Sequence, residues 1–321
     1  MAKSTLTLEE RRAARKAERL RKKAEEENKE SMVVHPGVGG TIMDIVIVLI
    51  LILVAFICVI PLWHVLMSSI SEGRALMGHN GLVVRPIGTK FNLGGYKEVF
   101  KDPDILLGYA NTLLYVVGGT FLGVLVNVIG GYILSRETKL RGVLTLFIIF
   151  TTMFNGGMIP TYMVIRQLGM TGTRLALIIP GCTNAMFMLL VMNSFAAVDK
   201  SYTEAASIDG AGHFKIMFQV ILPQAKGMVL VTAINSAIMK WNSWFEASIY
   251  VPNQMDKWPL QLWVKRLTAE GMDFLKVTNP NYDKYLIQYA AIMISTLPIL
   301  IALPFFIKKL EKGMVLGGVK G

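Results

Sequence analysis

The amino-acid sequence predicts an all-α polytopic membrane protein with six transmembrane helices. Of its 321 residues, 53% are hydrophobic and the mean hydropathy is +0.49, which is too apolar for a water-soluble domain of this size. Five uncharged runs each exceed the roughly 20 residues that a helix needs to cross about 30 Å of hydrocarbon. These runs cover residues 45–71, 105–135, 142–165, 175–198 and 285–307.

A sixth apolar run begins at Gly227 and is interrupted by Lys240 and Glu246. We count it as a span, because charged side chains within a membrane protein are rare, face the interior of the helix bundle and serve function there. The third and fourth runs contain predicted helix breaks. Gly156-Gly157 with Pro160 three residues on should interrupt the third helix.

The Pro180-Gly181 pair should kink the fourth helix in the same way. Breaks at membrane depth are tolerated only where other protein or enclosed water satisfies the backbone groups that leave the helix. The fold prediction is therefore a bundle of six spans, two of which are irregular.

Three polar residues of the sixth run share one helix face if the helix is continuous. Asn235, Asn242 and Glu246 stand at positions i, i+7 and i+11 of this run. Trp241 and Trp244 flank them. Aromatic rings beside amides and a carboxylate suit a sugar, whose C–H faces stack on rings while its hydroxyl groups take polar partners.

The distribution of basic residues predicts the orientation in the cell membrane. The net charge is +11, and 20 of the 33 lysines and arginines fall in segments on one side. Because cytoplasmic segments carry an excess of Lys and Arg, both termini are predicted to be cytoplasmic, and nucleic-acid binding is not needed to explain the charge. The predicted organisation is a charged tail over 1–42, a six-helix transmembrane domain over 43–307 that includes a cytoplasmic loop at 199–226, and a cytoplasmic tail over 308–321.

The loop between the fourth and sixth runs predicts two short helices. Ser201 and Glu204 have the Ser-x-x-Glu spacing of a capping box, so the first helix should begin at about Ser201. Asp209-Gly210 should end it, because glycine tolerates a positive φ. The second helix should bury one apolar stripe before Pro223. That stripe consists of Phe214, Met217, Phe218 and Ile221.

The order of Glu204-Ala205-Ala206, Gly210 and Leu222-Pro223 resembles the EAA loop of ABC importer permeases. The resemblance extends over about residues 43–321 and implies the type I (MetI-like) permease architecture. It also implies that the loop docks into a cleft of a separate ATPase subunit. The residues that it assigns to this coupling role are Glu204, Ala205, Ala206, Asp209, Gly210, Ala211, Phe214, Leu222 and Pro223.

Other segments are similar to permeases for oligosaccharides and polysaccharides. They include FNLGGYKEVF, the pair Asn111-Thr112, the stretch GGMIPTYMVIRQLGM and the WNSWF motif. The resemblance implies an oligosaccharide substrate and a translocation path lined by this chain. The path candidates are Asn155, Asn235, Trp241, Asn242, Trp244 and Glu246.

The family resemblance also implies the partners. These are a homologous second permease, two ATPase subunits that bind ATP and Mg, and an extracellular solute-binding protein. Contact with the binding protein is expected at Trp258, Pro259, Leu260 and Gln261, although an interfacial anchor is an equal alternative there. No cofactor, metal site or catalytic group is expected in this chain.

Three alternatives remain at this point. The chain could serve an ABC importer for a different solute. It could also be an ion-coupled secondary transporter that uses Lys240 and Glu246, or these two could form a purely structural ion pair beside an aromatic belt. A membrane enzyme finds no support, because the Asp and His residues show neither metal-ligand spacing nor an acid–base pair on one helix face.

Overall fold

The computed structural model describes residues 38–88, 91–270 and 284–318, and every regular element among them is helical. The predicted tail over 1–42 therefore lies mostly outside the described residues. The helices are α1 (Val38–Ser69), α2 (Gly73–Met77), α3 (Gly94–Lys101), α4 (Pro103–Ser135), α5 (Arg141–Met153), α6 (Met158–Gln167), α7 (Leu175–Ile178), α8 (Ala185–Ala196), α9 (Lys200–Ile208), α10 (His213–Lys215), α11 (Leu222–Gln224), α12 (Lys226–Trp241), α13 (Phe245–Tyr250), α14 (Leu260–Glu270) and α15 (Lys284–Gly318).

Two short turns complete the element order. A π-helical turn, Ile216–Ile221, joins α10 to α11, and a 3-10 turn, Met255–Lys257, precedes α14. The chain divides into two compact units, residues 1–62 and 63–321. In the first unit, the apolar side chains of α1 are exposed, as expected for a helix that faces hydrocarbon.

Among the residues that the structure describes, three helices are continuous and apolar enough to cross a membrane. They are Gly40–Ser69, Pro103–Ser135 and Tyr285–Ile307. These ranges lie within a few residues of the first, second and last predicted spans. In lipid, a segment of this kind satisfies its backbone hydrogen bonds only as a helix. The local sequence therefore determines these three spans.

The remaining predicted spans are not straight helices. The pair α5 and α6 bends by 114° at its break, and the segment His213–Gln224 bends by 86° against α12. The fourth apolar run is represented by α7 and the 12-residue α8. By length and composition, three to five membrane spans are present among the described residues.

Both predicted breaks are confirmed. The α5–α6 break passes through Gly157 at φ +83°, and the Asn155 side chain accepts a hydrogen bond from the Gly157 N–H at 2.9 Å. The fourth run breaks at Gly181, which has φ +65°. Asn184 then begins α8, because its side-chain oxygen accepts from the Met186 N–H at 2.9 Å.

Helix α4 is the central element of the second unit and packs against α8 and α12. The close approach of these helices depends on glycine. A Cβ atom at Gly123 would collide with the carbonyl oxygen of Cys182, and one at Gly119 would come within 2.8 Å of the Lys240 Cε. Small residues allow such close contacts in bilayers, where apolar burial alone does not drive helices together.

Candidate functional site

The loop between α8 and α12 forms the predicted pair of short helices, but its first helix begins differently from expected. Asp199 is the N-cap residue, and its carboxylate accepts from the Ser201 N–H at 2.9 Å. The predicted Ser201–Glu204 capping box is therefore wrong. Asp199, two residues before Ser201, satisfies the helix start instead, so Glu204 lies exposed in the middle of α9.

The predicted break after α9 is confirmed. Helix α9 ends at Ile208, and Gly210 adopts φ +75°. The Ala211 N–H then donates to the Ala206 carbonyl at 2.9 Å, which closes the turn. A non-glycine residue at position 210 would be strained in this turn, since positive φ is unfavourable for residues that carry a Cβ.

The predicted apolar stripe of the second helix is wrong for its two phenylalanines. Met217 and Ile221 are buried, but Phe214 is 72% exposed and Phe218 is 43% exposed. The π-helical winding over Ile216–Ile221 widens the turn, so an i, i+3, i+4 pattern no longer falls on one face. The buried face instead comprises Ile216, Met217 and Ile221, which pack against α4 and α8.

Large apolar side chains of this loop are left exposed, and three of them form a set that we call the knob. It consists of Tyr202, Ile208 and Phe214, of which Ile208 is 86% exposed. Beside it lies a groove with a cavity of about 470 Å³. The groove is lined by Arg136, Thr203, Glu204, Ser207, Ile208, His213 and Ile216.

The cytoplasm-facing end of α4, as the sequence orients it, holds this loop. The Tyr132 hydroxyl lies 3.3 Å from the His213 Nδ1 and accepts from Arg136 at 3.2 Å. Lys200 at the start of α9 donates to Glu137 at 2.6 Å. Through this bond and its charge, Lys200 holds the pKa of the exposed Glu137 carboxyl below its usual value. The loop is thus anchored at both of its helices.

The predicted polar stripe on the sixth run is also wrong. Helix α12 ends at Trp241, and the Asn242 side chain donates back to the Ile238 carbonyl at 3.0 Å. A new helix, α13, then follows, and Ser243 donates to Glu246 at 2.9 Å across its first turn. Asn235 and Glu246 consequently lie on separate helices.

The predicted aromatic residues of the path differ in exposure. Trp241 is buried, and its indole N–H donates to the Ser295 carbonyl at 3.2 Å, so it cannot stack on a passing substrate in this conformation. Trp244 is partly exposed, and the Lys265 Nζ lies 5.4 Å from its ring centroid. The Asn235 side chain donates to the Val231 carbonyl of its own helix.

Lys240 does not pair with Glu246. Its ammonium group donates to the carbonyls of Leu177 at 2.9 Å and Pro180 at 3.1 Å. These are carbonyls that the broken fourth run leaves without helical partners. Lys240 therefore fastens the break to α12, and the structural Lys240–Glu246 ion pair considered from the sequence is wrong.

Comparison with known proteins identifies the family. A profile of the family described as "binding-protein-dependent transport system inner membrane component" matches residues 116–316. The chain belongs to this family. This permease is 32% identical to Protein LplC of Bacillus subtilis (strain 168), over 89% of this chain and 98% of that protein.

Two further proteins match this chain over most of their length. The polygalacturonan/rhamnogalacturonan transport system permease protein YtcP of Bacillus subtilis (strain 168) is 30% identical, over 87% of this chain and 99% of its own. The permease also matches a chain in the crystal structure of a bacterial ABC transporter involved in the import of the acidic polysaccharide alginate. That match has a TM-score of 0.77 at 28% identity and covers 85% of this chain and 98% of the other. The fold is that of a multi-pass ABC importer permease, a membrane component that works with a binding protein and an ATPase.

A hydrogen-bonded junction at the other end of α4 was not predicted from the sequence. The Asn111 side chain donates to the carbonyls of Asp256 at 2.8 Å and Trp258 at 3.1 Å. Arg174 donates to the Asn111 side-chain oxygen at 3.3 Å. The sequence singled out Asn111 only through the family resemblance. The two carbonyl groups that it contacts lie about 145 residues away in sequence, so no local pattern reveals them.

The residues after Asn111 extend this junction. The Leu260 N–H donates to the Thr112 hydroxyl at 2.8 Å, and the Tyr115 hydroxyl donates to the Lys257 carbonyl at 2.7 Å. Both contacts hold the backbone that leads into α14. The permease thereby fixes the loop before α14 to α4 through main-chain groups.

Most of the segment predicted to contact a binding protein is buried by this junction. Trp258 and Leu260 are each 1% exposed and belong to the hydrophobic core. Pro259 is also buried, and only Gln261 is partly exposed. The side chains of Trp258 and Leu260 are thus not available to a soluble partner in this conformation, and a binding-protein contact by this segment stays a prediction for Gln261.

Proposed function

We propose that this chain is one of two homologous permease subunits of an ATP-driven, binding-protein-dependent importer of an oligosaccharide. Family membership supports the transport role. The substrate class is supported by the descriptions of similar proteins, which refer to polygalacturonan, rhamnogalacturonan and alginate. An importer for another solute is the remaining alternative within this family.

The proposed topology has six membrane segments with both termini in the cytoplasm. Three are the continuous helices, one is the bent pair of α5 and α6, one is α12, and the sixth is the short apolar helix α8. Helix α4 begins beside the outer junction and ends beside the knob, so these two features lie at opposite membrane faces. The positive-inside distribution of Lys and Arg favours the knob side as cytoplasmic.

The observation that carries the coupling proposal is the exposure of the knob. Ile208 and Phe214 are large apolar residues that lie on a polar loop rather than on a hydrocarbon-facing helix. An exposed apolar patch with a polar rim is typical of a protein–protein contact. The rim here includes Glu204 and Lys215, and we assign the cleft of the ATPase subunit as the partner surface.

The proposed mechanism is alternating access driven by the ATPase pair. ATP and Mg bind to the ATPase subunits, and their closure moves the loop over residues 199–226. The buried face of that loop packs on α4 and α8, and its ion pair reaches Glu137, so a displacement of the knob is transmitted to the helix bundle. A change of state requires that the loop be held differently in the two states.

Uptake of labelled oligosaccharides by cells tests the proposal. We expect one glycan to enter only when this chain and ATP are both present. Uptake should stop when ATP is depleted, even if the ion gradient is preserved. Gly210→Pro should abolish uptake, since proline requires φ near −65° where the structure has +75°. Glu204→Lys and Phe214→Ser should also abolish it, while each variant still inserts into the membrane.

Phe91→Ser is the matched control, because Phe91 is similarly exposed but lies at the opposite face beside α3. It should leave uptake unchanged. Full uptake by the Gly210→Pro or Phe214→Ser variant would contradict the coupling role. Uptake that follows the ion gradient rather than ATP would contradict the importer assignment and favour the ion-coupled alternative.

A further inference from the structure

Helix α3 lies at the membrane boundary opposite the knob. It ends two residues before the Pro103–Ser135 span, and its Tyr96 hydroxyl lies 2.7 Å from the Ser69 hydroxyl at the end of α1. A Cβ atom at Gly95 would come within 2.9 Å of the Leu286 carbonyl, at the start of the last span. Three spans therefore begin or end beside α3, which places it at the level of the lipid headgroups.

The two faces of α3 differ in chemistry. Gly94, Gly95 and Val99 are buried against the bundle, whereas Leu93 and Phe100 are 56% and 51% exposed. Beside the exposed face lies a groove with a cavity of about 650 Å³, within the range of about 300–1,000 Å³ that is usual for ligand pockets. Its lining consists of Ile70, Leu93, Tyr96, Lys97, Phe100 and Lys101.

The charged residues of this groove are both cationic. Lys101 donates to the buried Glu98 carboxylate at 2.7 Å, so part of its charge is compensated within α3. Lys97 is exposed and has no acidic partner within the part of the chain that the structure describes. The groove thus combines an apolar floor with a positive rim at headgroup level.

We propose that this groove binds an anionic phospholipid of the leaflet opposite the knob. The acyl chain would lie along Ile70, Leu93 and Phe100, and the phosphate would pair with Lys97. An amphipathic helix in the interface plane binds lipid through this combination of apolar contact and attraction to anionic headgroups. Tyr96 adds an amphipathic ring of the kind that is enriched at membrane interfaces.

The alternative occupants fit less well. A sugar would need several hydrogen-bonding groups, but four of the six lining residues are apolar or aromatic. A soluble protein would have to approach at the depth where the spans enter the hydrocarbon. The second permease subunit is a further candidate occupant of the groove, and the experiment below distinguishes it from a lipid.

Native mass spectrometry of the transporter complex, purified from membranes, tests this proposal. The complex is titrated with phosphatidylglycerol and, separately, with phosphatidylcholine. We compare wild type with Lys97→Gln and Phe100→Ser. Lys265→Gln is the matched control, because Lys265 is an exposed lysine that does not line the groove.

We expect one tightly retained phosphatidylglycerol per copy of this chain, with weaker retention of phosphatidylcholine. Lys97→Gln should lower phosphatidylglycerol affinity about fivefold, the effect of one lysine near an anionic lipid surface, without changing phosphatidylcholine binding. Phe100→Ser should weaken both lipids. Lys265→Gln should change neither.

Two results would overturn the proposal. The first is equal phosphatidylglycerol retention by wild type and by a chain that carries both groove substitutions. The second is loss of a permease subunit from the complex in either groove variant, which would identify the groove as a subunit interface. Because Lys97 and Phe100 are exposed, neither substitution creates a cavity in the folded chain.

Discussion

Replacement of Lys240 by methionine isolates the contribution of one buried charge to a broken membrane helix. Methionine keeps an unbranched apolar side chain against Gly119 but removes the ammonium group. The carbonyls of Leu177 and Pro180 then lose their donor. We expect the fourth run to open locally more often at its break, while the rest of the bundle keeps its packing.

The magnitude follows from the two hydrogen bonds. A bond to a charged group contributes about 1.5–3 kcal/mol, but the variant also relieves the desolvation of the buried ammonium. We therefore expect a net loss of about 2–3 kcal/mol in local opening free energy. Since each 1.4 kcal/mol corresponds to a factor of ten, amide exchange should become about 30- to 150-fold faster.

Hydrogen–deuterium exchange with mass spectrometry of the segment 175–184 measures this effect. The reporting amides include those of Ile179 and Cys182, which donate to Leu175 and Ile179. Lys226→Met is the control, because Lys226 is an exposed residue at the other end of α12. Exchange in the Lys240→Met variant within twofold of wild type would refute the reasoning, even if transport were lost.

Two further substitutions test the packing of α4. Asn111→Leu should release residues 255–258, at a cost of about 1–3 kcal/mol for each carbonyl left unsatisfied, and limited proteolysis of the outer loop should detect it. Unchanged cleavage would show that the junction does not hold the loop. Gly123→Ala should destabilise the chain by about 1–3 kcal/mol in thermal unfolding, because its methyl group meets the Cys182 backbone. Gly118→Ala is the matched control, since the nearest atom to its Cβ would lie at 3.6 Å, and equal stability of the two variants would contradict this account.

The sequence was sufficient for features that depend on local chemistry. The continuous spans follow from uninterrupted apolar runs, and the breaks at Gly157 and Gly181 follow from residues that cannot continue a helix. The turn at Gly210, within the loop over residues 199–226, was predicted for the same reason. In each case neighbouring residues alone decide the backbone conformation.

The errors arose where a competing local signal or a distant contact decided the outcome. Asp199 capped α9 ahead of Ser201, and α12 ended at Trp241 where continuous winding was expected. The π-helical turn rotated Phe214 out of its predicted stripe. The hydrophobic periodicity of the sequence does not reveal such a widened turn, because the residue types on either side of it are the same as in an ordinary α-helix.

Burial was the least predictable property of the candidate residues. Trp241 and Trp258 were interpreted as ligand and partner contacts from their residue type and neighbours. Both are core residues whose indole N–H groups donate to carbonyls of Ser295 and Val251. An aromatic residue in a membrane protein has the same sequence signature whether it packs inside or faces outward.

The helix break after α5 affects the stability of the chain before it assembles with other subunits. The helix has 13 residues and so extends about 20 Å, which ends it inside a hydrocarbon layer about 30 Å thick. None of its side chains is buried within the chain, and the loop that follows is exposed. Irregular backbone of this kind cannot remain in contact with lipid. A newly made copy that has not yet assembled with its companion subunits therefore exposes backbone groups that lipid cannot satisfy. We expect membrane quality-control proteases to degrade such a copy early. The amount of this chain in cells should then follow the amount of the rest of the transporter.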